Sequence, residues 1–299
     1  MLITIPSDEY HAGKHDTAPA LSSSIAKVLL SRSPRHAWLE HPRLNPDYMP
    51  EERATFDTGT AAHALLLEGV DRMAVLDYPD WRTNAAKAAR DEARELGRIP
   101  VLAHQYANIQ AMAEVAVKAI SENADLGYTL DDGKPEQSLF WREDETECKA
   151  RFDWVSNDCK LIIDYKTTEI SSPDAWMRSI PAQGYDLQAA WYLRALQKYS
   201  EMPANFVFLV QETNAPFACY FVGMSPTYLE IGHQKVEAAL RIWGECMREG
   251  VWPDYPRRIM YPEPTAWALV DAEEKAEIAQ SWTPEAFLFG RVPDKDESK

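Results

Sequence analysis

The stretch CKARFDWVSNDCKLIIDYKTT, residues 148–168, decides the fold of this chain. Its two ends are rich in β-branched and aromatic residues, and the turn-forming residues 156–158 separate them, so we predict a β-hairpin. The two-residue period of a strand places Asp164 and Lys166 on the same face of the second strand. Asp153, in the first strand, can then face Asp164 across the hairpin. The stretch therefore predicts that two carboxylates and one ammonium group share a cleft.

Strict alternation in the first strand of this hairpin assigns its other side chains to faces. One face would carry Lys149, Arg151 and Asp153, and the other Ala150, Phe152 and Trp154. An isolated Asp-x-Lys tripeptide is more often an ion pair on an exposed edge strand than part of an active site. Here the apolar run 161–163 indicates a buried strand, whose charged end must face a cleft or an interface.

Hydrolysis of a phosphodiester bond needs the groups that this hairpin brings together. Asp153 and Asp164 supply the hard oxygen ligands that Mg²⁺ prefers, and Mg²⁺ polarises a phosphate and acidifies a bound water. Lys166 supplies a cation that steadies the nucleophile and the developing negative charge. The backbone carbonyl of Tyr165 is a candidate for a further metal ligand. We therefore expect two Mg²⁺ ions at the scissile phosphate and no covalent enzyme intermediate.

The rest of the chain predicts an α/β domain whose first half is mainly helical. We expect helices near residues 23–30, 58–69, 82–96, 103–121, 173–180, 184–199 and 226–248, and strands near 137–141, 148–155, 161–168, 205–211 and 217–224. The expected fold is a central mixed β-sheet flanked by helices, with a helical N-terminal part over about 20–122 and a sheet core over about 136–250. A single domain would cover residues 1–270. A C-terminal helix and a frayed, charged tail ending in VPDKDESK would follow at 271–299.

Composition restricts the class of protein. The 299 residues are 45% hydrophobic and 26% charged, which is typical of a soluble globular enzyme. No run approaches the roughly 18 apolar residues of a membrane span, and the start MLITIPSDEYHAGKHD lacks the layout of a secretory signal. We therefore expect a cytoplasmic protein that does not engage a membrane. The four cysteines form no C-x-x-C pair, so their spacing indicates neither a zinc site nor an iron–sulfur cluster, and we expect reduced thiols.

The formal net charge of −16 argues against binding nucleic acid through overall charge, so any DNA contact must come from local basic groups. Lys87, Arg90, Arg94 and Arg98 recur at helical intervals and could follow a phosphate backbone. A smaller candidate patch consists of Arg32 and Arg35. The alternative is a solvated helix face with internal ion pairs, which the interleaved acidic residues Asp91, Glu92 and Glu95 favour.

Several blocks of this sequence resemble a known family. The blocks GTAAHALLLEG (59–69), CKARFDWV (148–155), LIIDYKTT (161–168) and GYDLQAAWYL (184–193) are similar to those of exonuclease VIII, the RecE-type exonucleases of phages and prophages. Their order and spacing match as well. The similarity extends to LSSSIAKVLLSRSPRHAWLE and VWPDYP, and so covers about residues 20–256. It implies the PD-(D/E)XK nuclease superfamily, in its RecB-like branch.

The resemblance also implies a larger set of site residues. A helix-borne histidine, His63, would join Asp153, Asp164 and Lys166 around the metals. An acidic residue ahead of the first strand, Glu136, and the helical pair Gln188 and Tyr192 would complete the site. On an alanine- and leucine-rich helix a lone histidine is more often a satisfied core residue than a ligand. A neutral imidazole would suit Mn²⁺ better than Mg²⁺, so Mn²⁺ is expected to substitute.

Gln188 and Tyr192 are four residues apart and lie one above the other on a helix face. They could border a DNA strand. Their spacing is equally compatible with a helix that packs Tyr192 into the core and leaves Gln188 at its rim.

By the same resemblance, the substrate is a double-stranded DNA end, digested from 5′ to 3′. The remaining 3′ single strand would serve homologous recombination through an annealing protein of the RecT type. The enzyme would form a homo-oligomeric ring in the bacterial host cell. Two alternatives stay open: a structure-specific endonuclease with the same core, and a catalytically inactive DNA-binding or assembly module. A fused helicase is not indicated, because no G-x-x-x-x-G-K-[ST] loop is present.

Overall fold

The computed structural model describes residues 1–49, 58–170 and 172–283. In chain order the strands within these ranges are β1 (Ile3–Thr4), β2 (Met73–Leu76), β3 (Ile99–Leu102), β4 (Gly133–Glu143), β5 (Thr146–Ser156), β6 (Leu161–Thr168), β7 (Asn205–Glu212) and β8 (Cys219–Gly223). The α-helices are α1 (Ser7–His11), α2 (Ser23–Ser31), α3 (Pro34–Leu39), α4 (Thr58–Leu67), α5 (Asn84–Glu95), α6 (Ala103–Ser121), α7 (Pro173–Met177), α8 (Ile180–Gln183), α9 (Tyr185–Ser200), α10 (Pro226–Glu249) and α11 (Ala266–Ser281).

The central sheet has the strand order β1-β4-β5-β6-β7-β8 and is mixed. Strands β4, β5 and β6 form an antiparallel meander, which contains the predicted hairpin of β5 and β6, and β7 and β8 form a second hairpin. Because α7, α8 and α9 connect β6 to β7, these two strands run parallel. The expected mixed sheet flanked by helices is confirmed. The short β1 and the separate parallel pair of β2 and β3 were not expected.

Two hydrophobic clusters pack on the central sheet. The first cluster contains Trp191 of α9 and Trp243 of α10, and the second contains Ile109 and Met112 of α6. All four side chains are almost fully buried. In β6, alternate residues divide between the clusters, since Ile162 belongs to the first and Ile163 to the second. A strand buried on both faces explains the continuous apolar run that precedes Asp164.

The hairpin of β5 and β6 opens at Asp153. The two strands pair through Trp154–Ile163 and Val155–Ile162, and this ladder then ends although both strands continue. Beyond the opening, Leu21 takes the place beside β5: its N–H donates to the carbonyl of Glu147 and its carbonyl accepts from the N–H of Lys149. The separation of the strands creates a cleft, and Leu21 delivers the start of α2 to it.

Three expectations about local structure were wrong. β4 begins at Gly133 rather than near 137, so Glu136 lies inside the first strand and not ahead of it. Phe152 and Trp154 pack in different clusters, because the regular alternation of β5 breaks at Asp153. The helix α5 ends at Glu95, and Gly97 adopts a left-handed φ of 69°, so Arg98 lies beyond the helix and leaves the predicted stripe.

Residues 1–254 form one compact unit, and the described residues from 255 onward belong to a second one, which contains α11. The domain boundary near 270 stays a prediction. The expected frayed tail at 292–299 lies outside the described residues. No helix in the described ranges combines the length and apolar character needed to cross a membrane. The four cysteines are free thiols.

Candidate active site

A cleft of about 640 Å³ lies where β5 and β6 separate. The registers of the meander explain which side chains reach it. Continued by one residue, the β4–β5 register sets Glu136 opposite Asp153, and the β5–β6 register sets Asp153 opposite Asp164. Directly opposed residues on neighbouring strands lie on the same face. Three carboxylates therefore form a row across three adjacent strands.

The side chain of Asp153 forms a hydrogen bond to β6 where the backbone pairing of β5 and β6 has ended. Its Oδ2 accepts the backbone N–H of Tyr165 at 2.8 Å, which anchors the carboxylate at the opening of the strands. The same oxygen lies 3.2 Å from Nε2 of His63 on α4. Small residues at Ala61, Ala62 and Ala64 are buried and let α4 approach the sheet, so that the half-buried His63 reaches the carboxylates.

Glu136 is held in an uncommon geometry. Its backbone has a φ of 55°, in the left-handed region that a glutamate rarely adopts, although it stands inside a strand. One carboxylate oxygen, Oε2, accepts from Nε of Arg151 at 2.5 Å. The other, Oε1, lies 3.6 Å from Nδ1 of His63 and has no hydrogen-bond partner in the described part of the chain. Backbone strain of this kind is often found at functional sites.

Asp164 and Lys166 form a pair on the other side of the opening. Asp164 is fully buried in the central strand β6, and its Oδ1 contacts the ammonium of Lys166. Its Oδ2 accepts from Nε2 of Gln188 on α9 at 2.6 Å, and Oε1 of Gln188 accepts from Lys27 of α2 at 2.9 Å. Because β6 is central and Asp164 is inaccessible, the alternative of an exposed edge-strand ion pair is wrong.

The electrostatics of the row favour a protonated His63 when no metal is bound. Burial alone would lower the pKa of His63, but the adjacent carboxylates of Asp153 and Glu136 outweigh it and raise this pKa to about 9. Burial likewise opposes ionisation of Asp153, but the imidazolium of His63, followed by Lys166, holds the pKa of that carboxyl below its usual range. The ionised forms of these side chains therefore stabilise one another in the cleft, and a bound ligand could take over that role.

Burial also dominates at the Asp164–Lys166 pair. It raises the pKa of Asp164, an effect that nearby Asp153 adds to and Lys166 opposes. Burial alone would lower the pKa of Lys166, but the carboxylates of Asp164 and Asp153 raise it above its ordinary value. The lysine therefore stays charged at neutral pH and is held against a carboxylate.

His63, Glu136 and Asp153 could hold a metal ion. Each offers one ligand atom, and these atoms lie within 4.8 Å of one another. The donor set of one imidazole and two carboxylates suits Mg²⁺ weakly through nitrogen and Mn²⁺ well. Oε1 of Glu136 supports a bound cation, because it is buried and accepts no hydrogen bond from the described residues, which is costly for a carboxylate oxygen. Asp164 stands beside this group, with both of its oxygens directed at Lys166 and Gln188.

The structure brings most of the predicted site residues to one cleft. His63, Glu136, Asp153, Tyr165, Lys166, Gln188 and Tyr192 line it, and Asp164 lies directly beneath. Tyr192 is also a core residue, since its ring packs against Phe152 and Phe206. Gln188 is buried against Asp164 rather than at the rim of its helix. The metal-ligand role of the Tyr165 carbonyl stays a prediction.

The six basic residues predicted to contact DNA lie outside the lining of this cleft. Arg90 pairs with Asp91, and Arg32 pairs with Glu40 at 2.6 Å. Arg35 stacks on the ring of Trp38 at 4.3 Å. The remaining three, Lys87, Arg94 and Arg98, are exposed. Their binding to DNA stays a prediction.

Sequence reasoning missed three cations that do line the cleft: Lys27, Arg72 and Arg151. Arg151 was assigned to the face of Asp153 but given no role. Lys27 gave no local signal, since its place in the cleft depends on the pairing of Leu21 with β5, which is distant in the sequence. Arg72 stands at the end of the short 3₁₀ turn after α4, where periodicity gives no indication.

The central hairpin of this mixed sheet carries a row of carboxylates, and Lys166 follows Asp164 by two residues. This arrangement is that of a PD-(D/E)XK-type fold. The chain belongs to the family described as "PDDEXK-like domain of unknown function (DUF3799)", whose model matches residues 22–263. It is also similar to the crystal structure of a "putative exonuclease" from Eubacterium rectale, with a TM-score of 0.57 and 14% identity over 89% of this chain and 98% of that chain. At such identity this likeness establishes the fold alone. No curated protein matches the sequence.

Proposed function

We propose that this protein is a metal-dependent deoxyribonuclease that hydrolyses phosphodiester bonds in the cleft between β5 and β6. The observation that carries the proposal is the meeting of the His63–Glu136–Asp153 group with the Asp164–Lys166 pair in one cleft. Membership in a PDDEXK-like family supports it. The likeness to a protein named as an exonuclease supports a nuclease over a passive binding module.

The residues of this chain divide the chemical task between them. His63, Glu136 and Asp153 would hold a divalent cation, with Asp164 and the Tyr165 carbonyl as further candidate ligands. When bound, Mg²⁺ or Mn²⁺ polarises the phosphate and acidifies water. Lys166, which stays protonated, orients the attacking water and balances the negative charge that develops on the phosphate. Gln188 fixes the carboxylate of Asp164, and Arg151 fixes that of Glu136.

The finer activity rests on the similarity to exonuclease VIII. We propose that the substrate is an end of double-stranded DNA and that digestion runs from 5′ to 3′. The product strand would then pass to a single-strand annealing protein of the RecT type during recombination in a bacterial cytoplasm. A homo-oligomeric ring would let a chain with a net charge of −16 gather its local basic groups around DNA.

The test compares linear, nicked and covalently closed circular duplex DNA, each carrying end labels where ends exist, with Mg²⁺ and separately with Mn²⁺. We expect linear DNA to be shortened from its ends and closed circles to remain intact. Asp153→Asn and Lys166→Met should lose at least about a hundredfold in rate, since they remove groups that act on the transition state. Lys118→Met, an exposed substitution on α6, is the matched control.

Each outcome of this experiment selects one function. Cleavage of closed circular DNA would show that the protein is an endonuclease rather than an exonuclease. If the wild-type protein cleaves none of these DNAs with either metal, the remaining function is that of a catalytically inactive DNA-binding or assembly module. Variants at Asp153 and Lys166 that are as active as the wild type would move the catalytic site elsewhere.

A further inference from the structure

One cation in the cleft has no carboxylate partner among the residues that the structure describes. The lysine and arginine side chains that line it are Lys27, Arg72, Arg151 and Lys166. Three of them have carboxylate partners, namely Glu68 for Arg72, Glu136 for Arg151 and Asp164 for Lys166. Lys27 forms no ion pair with any residue that the structure describes. Its ammonium donates to the neutral carbonyl of Gln188 and lies 5.4 Å from the ring centre of Tyr185.

An unpaired ammonium in a cleft is unfavourable unless a ligand compensates it. Burial, reinforced by the nearby charge of Lys166 and opposed by the carboxylates of Asp164 and Asp186, lowers the pKa of Lys27 to about 8. The aliphatic part of the side chain lies close to Gly184, where an added Cβ atom would come within 3.2 Å of Cγ of Lys27. The described part of the chain therefore positions a cation in the cleft and forms no ion pair with it.

The first turn of α2 presents further anion-binding groups beside Lys27. Ser22, Ser23 and Ser24 line the cleft with Lys27. Ser22 caps the helix by accepting the N–H of Ile25, so the N–H groups of Ser23 and Ser24 have no partner within the described residues. Ser23 is 9% exposed, and its hydroxyl also lacks a partner there. Free N–H groups at a helix start, with the dipole behind them, favour a bound anion.

We propose that Ser23, Lys27 and the first N–H groups of α2 form a subsite for a phosphate group of the substrate strand, separate from the phosphate at the metal ligands. This inference rests on the proposed nuclease function for its substrate class. The ligand is a phosphate of DNA, either one that terminates a strand or one within it. The position follows from Leu21, whose pairing with β5 brings the start of α2 to the cleft that His63 and Glu136 also line.

The test measures binding of a labelled duplex by fluorescence anisotropy in EDTA, at several salt concentrations, so that neither metals nor hydrolysis contribute. Lys27→Met should weaken binding about tenfold and reduce the slope of log affinity against log salt by about 0.9, the value for one lost phosphate contact on a duplex. Lys27→Arg should retain the slope. Lys118→Met removes one exposed charge far along α6 and should change neither quantity.

Duplexes with a 5′-phosphate and with a 5′-hydroxyl distinguish the two sources of phosphate. A loss confined to phosphorylated ends identifies a terminal phosphate, and an equal loss on both identifies an internal one. Ser23→Ala should show the same pattern with a smaller loss.

Three results would overturn the subsite. The first is a folded Lys27→Met variant that binds with the wild-type affinity and salt slope. The second is an equal loss in the Lys118→Met control. The third is a fall in kcat at unchanged affinity and KM, because that result would show that Lys27 only positions Gln188. A wild-type protein that binds DNA but never hydrolyses it would refute the nuclease and leave the subsite intact.

Discussion

Two histidines in this protein, His63 and His41, have opposite electrostatic environments. His63 faces carboxylates, whereas His41, which is 1% exposed, forms hydrogen bonds with backbone groups. Nε2 of His41 donates to the carbonyl of Ala20 at 3.1 Å, and Nδ1 accepts the N–H of Arg43 at 3.2 Å. Protonation of Nδ1 would turn this acceptor into a donor that faces another donor. Burial, which dominates, lowers the pKa of His41 to about 4.

We therefore expect His41 to make the stability of the fold depend on pH. The unfolded chain binds a proton at this residue below about pH 6.5, and the folded chain does so only below about 4. The contribution of neutral His41 is complete above pH 6.5 and is lost as the pH falls to 4, by up to about 3 kcal/mol. Urea unfolding of wild type and His41→Gln at several pH values measures it. The difference between the two proteins should shrink on acidification, and a constant difference would refute this role.

At the scale of elements, the close contact of α9 and α10 depends on a glycine. A Cβ atom at Gly232 would lie 2.3 Å from the backbone carbonyl oxygen of Asp186. Lys235, one turn further along α10, donates to the buried carboxylate of Asp186 at 2.5 Å and fixes the same pair of helices. Neither helix can shift without disturbing the first hydrophobic cluster, to which both contribute.

Gly232→Ala should therefore destabilise the protein by about 1–3 kcal/mol, because the helices must separate to admit the methyl group. Gly244→Ala is the matched control on the same helix, since its Cβ would meet Thr146 at an ordinary 3.4 Å. There the gain in helix propensity should leave stability unchanged or raise it by up to about 1 kcal/mol. Denaturant midpoints compare the two variants. Equal midpoints would show that the helices accommodate the added methyl group.

The N-terminal segment is attached to β5 by a buried ion pair. Lys149 and Asp16 are 2.9 Å apart, with side chains that are 5% and 0% exposed. Asp16→Asn should cost roughly 3 kcal/mol or more, because it leaves the Lys149 ammonium buried without its carboxylate. The double variant Asp16→Asn with Lys149→Met should recover part of that loss. Thermal melting of both proteins tests this expectation, and a double variant no more stable than the single one would contradict it.

Sequence periodicity identified the meander and the Asp-x-Lys strand because both depend on local alternation and on runs of apolar residues. It failed where the backbone departs from a regular strand. The left-handed φ of Glu136 and the end of alternation at Asp153 follow from the opening of the hairpin, which is a tertiary event. The pairing of Leu21 with β5 joins residues more than a hundred positions apart, so the approach of Lys27 to Gln188 had no local signal.

At the scale of the whole molecule, the net charge of −16 and the cations of the cleft have opposite effects on DNA binding. Excess acidic charge repels a DNA backbone and weakens the compact state. The cleft instead combines four cationic side chains with the His63–Glu136–Asp153 group, so that phosphate and a divalent cation both find complementary charge there. DNA binding by such a chain depends on the local electrostatic field of the cleft, and we expect phosphate contacts there to make the affinity fall as the salt concentration rises.

A divalent cation that binds at His63, Glu136 and Asp153 must also stabilise the fold as a whole, since the unfolded chain cannot present the three ligands together. At a concentration one hundred times Kd, the gain is about 2.7 kcal/mol, which corresponds to a rise in Tm on the order of 5–10 °C. Differential scanning fluorimetry with Mn²⁺, Mg²⁺ and EDTA measures it.

Glu136→Gln and Asp153→Asn should each abolish most of this rise. Glu122→Gln, which removes a 67% exposed carboxylate after α6, should retain it. Because Oε1 of Glu136 accepts no hydrogen bond from any described residue, we expect the larger loss at Glu136. If both variants keep the full rise in Tm, the stabilising cation binds at another site, and the three residues form only a hydrogen-bonded cluster.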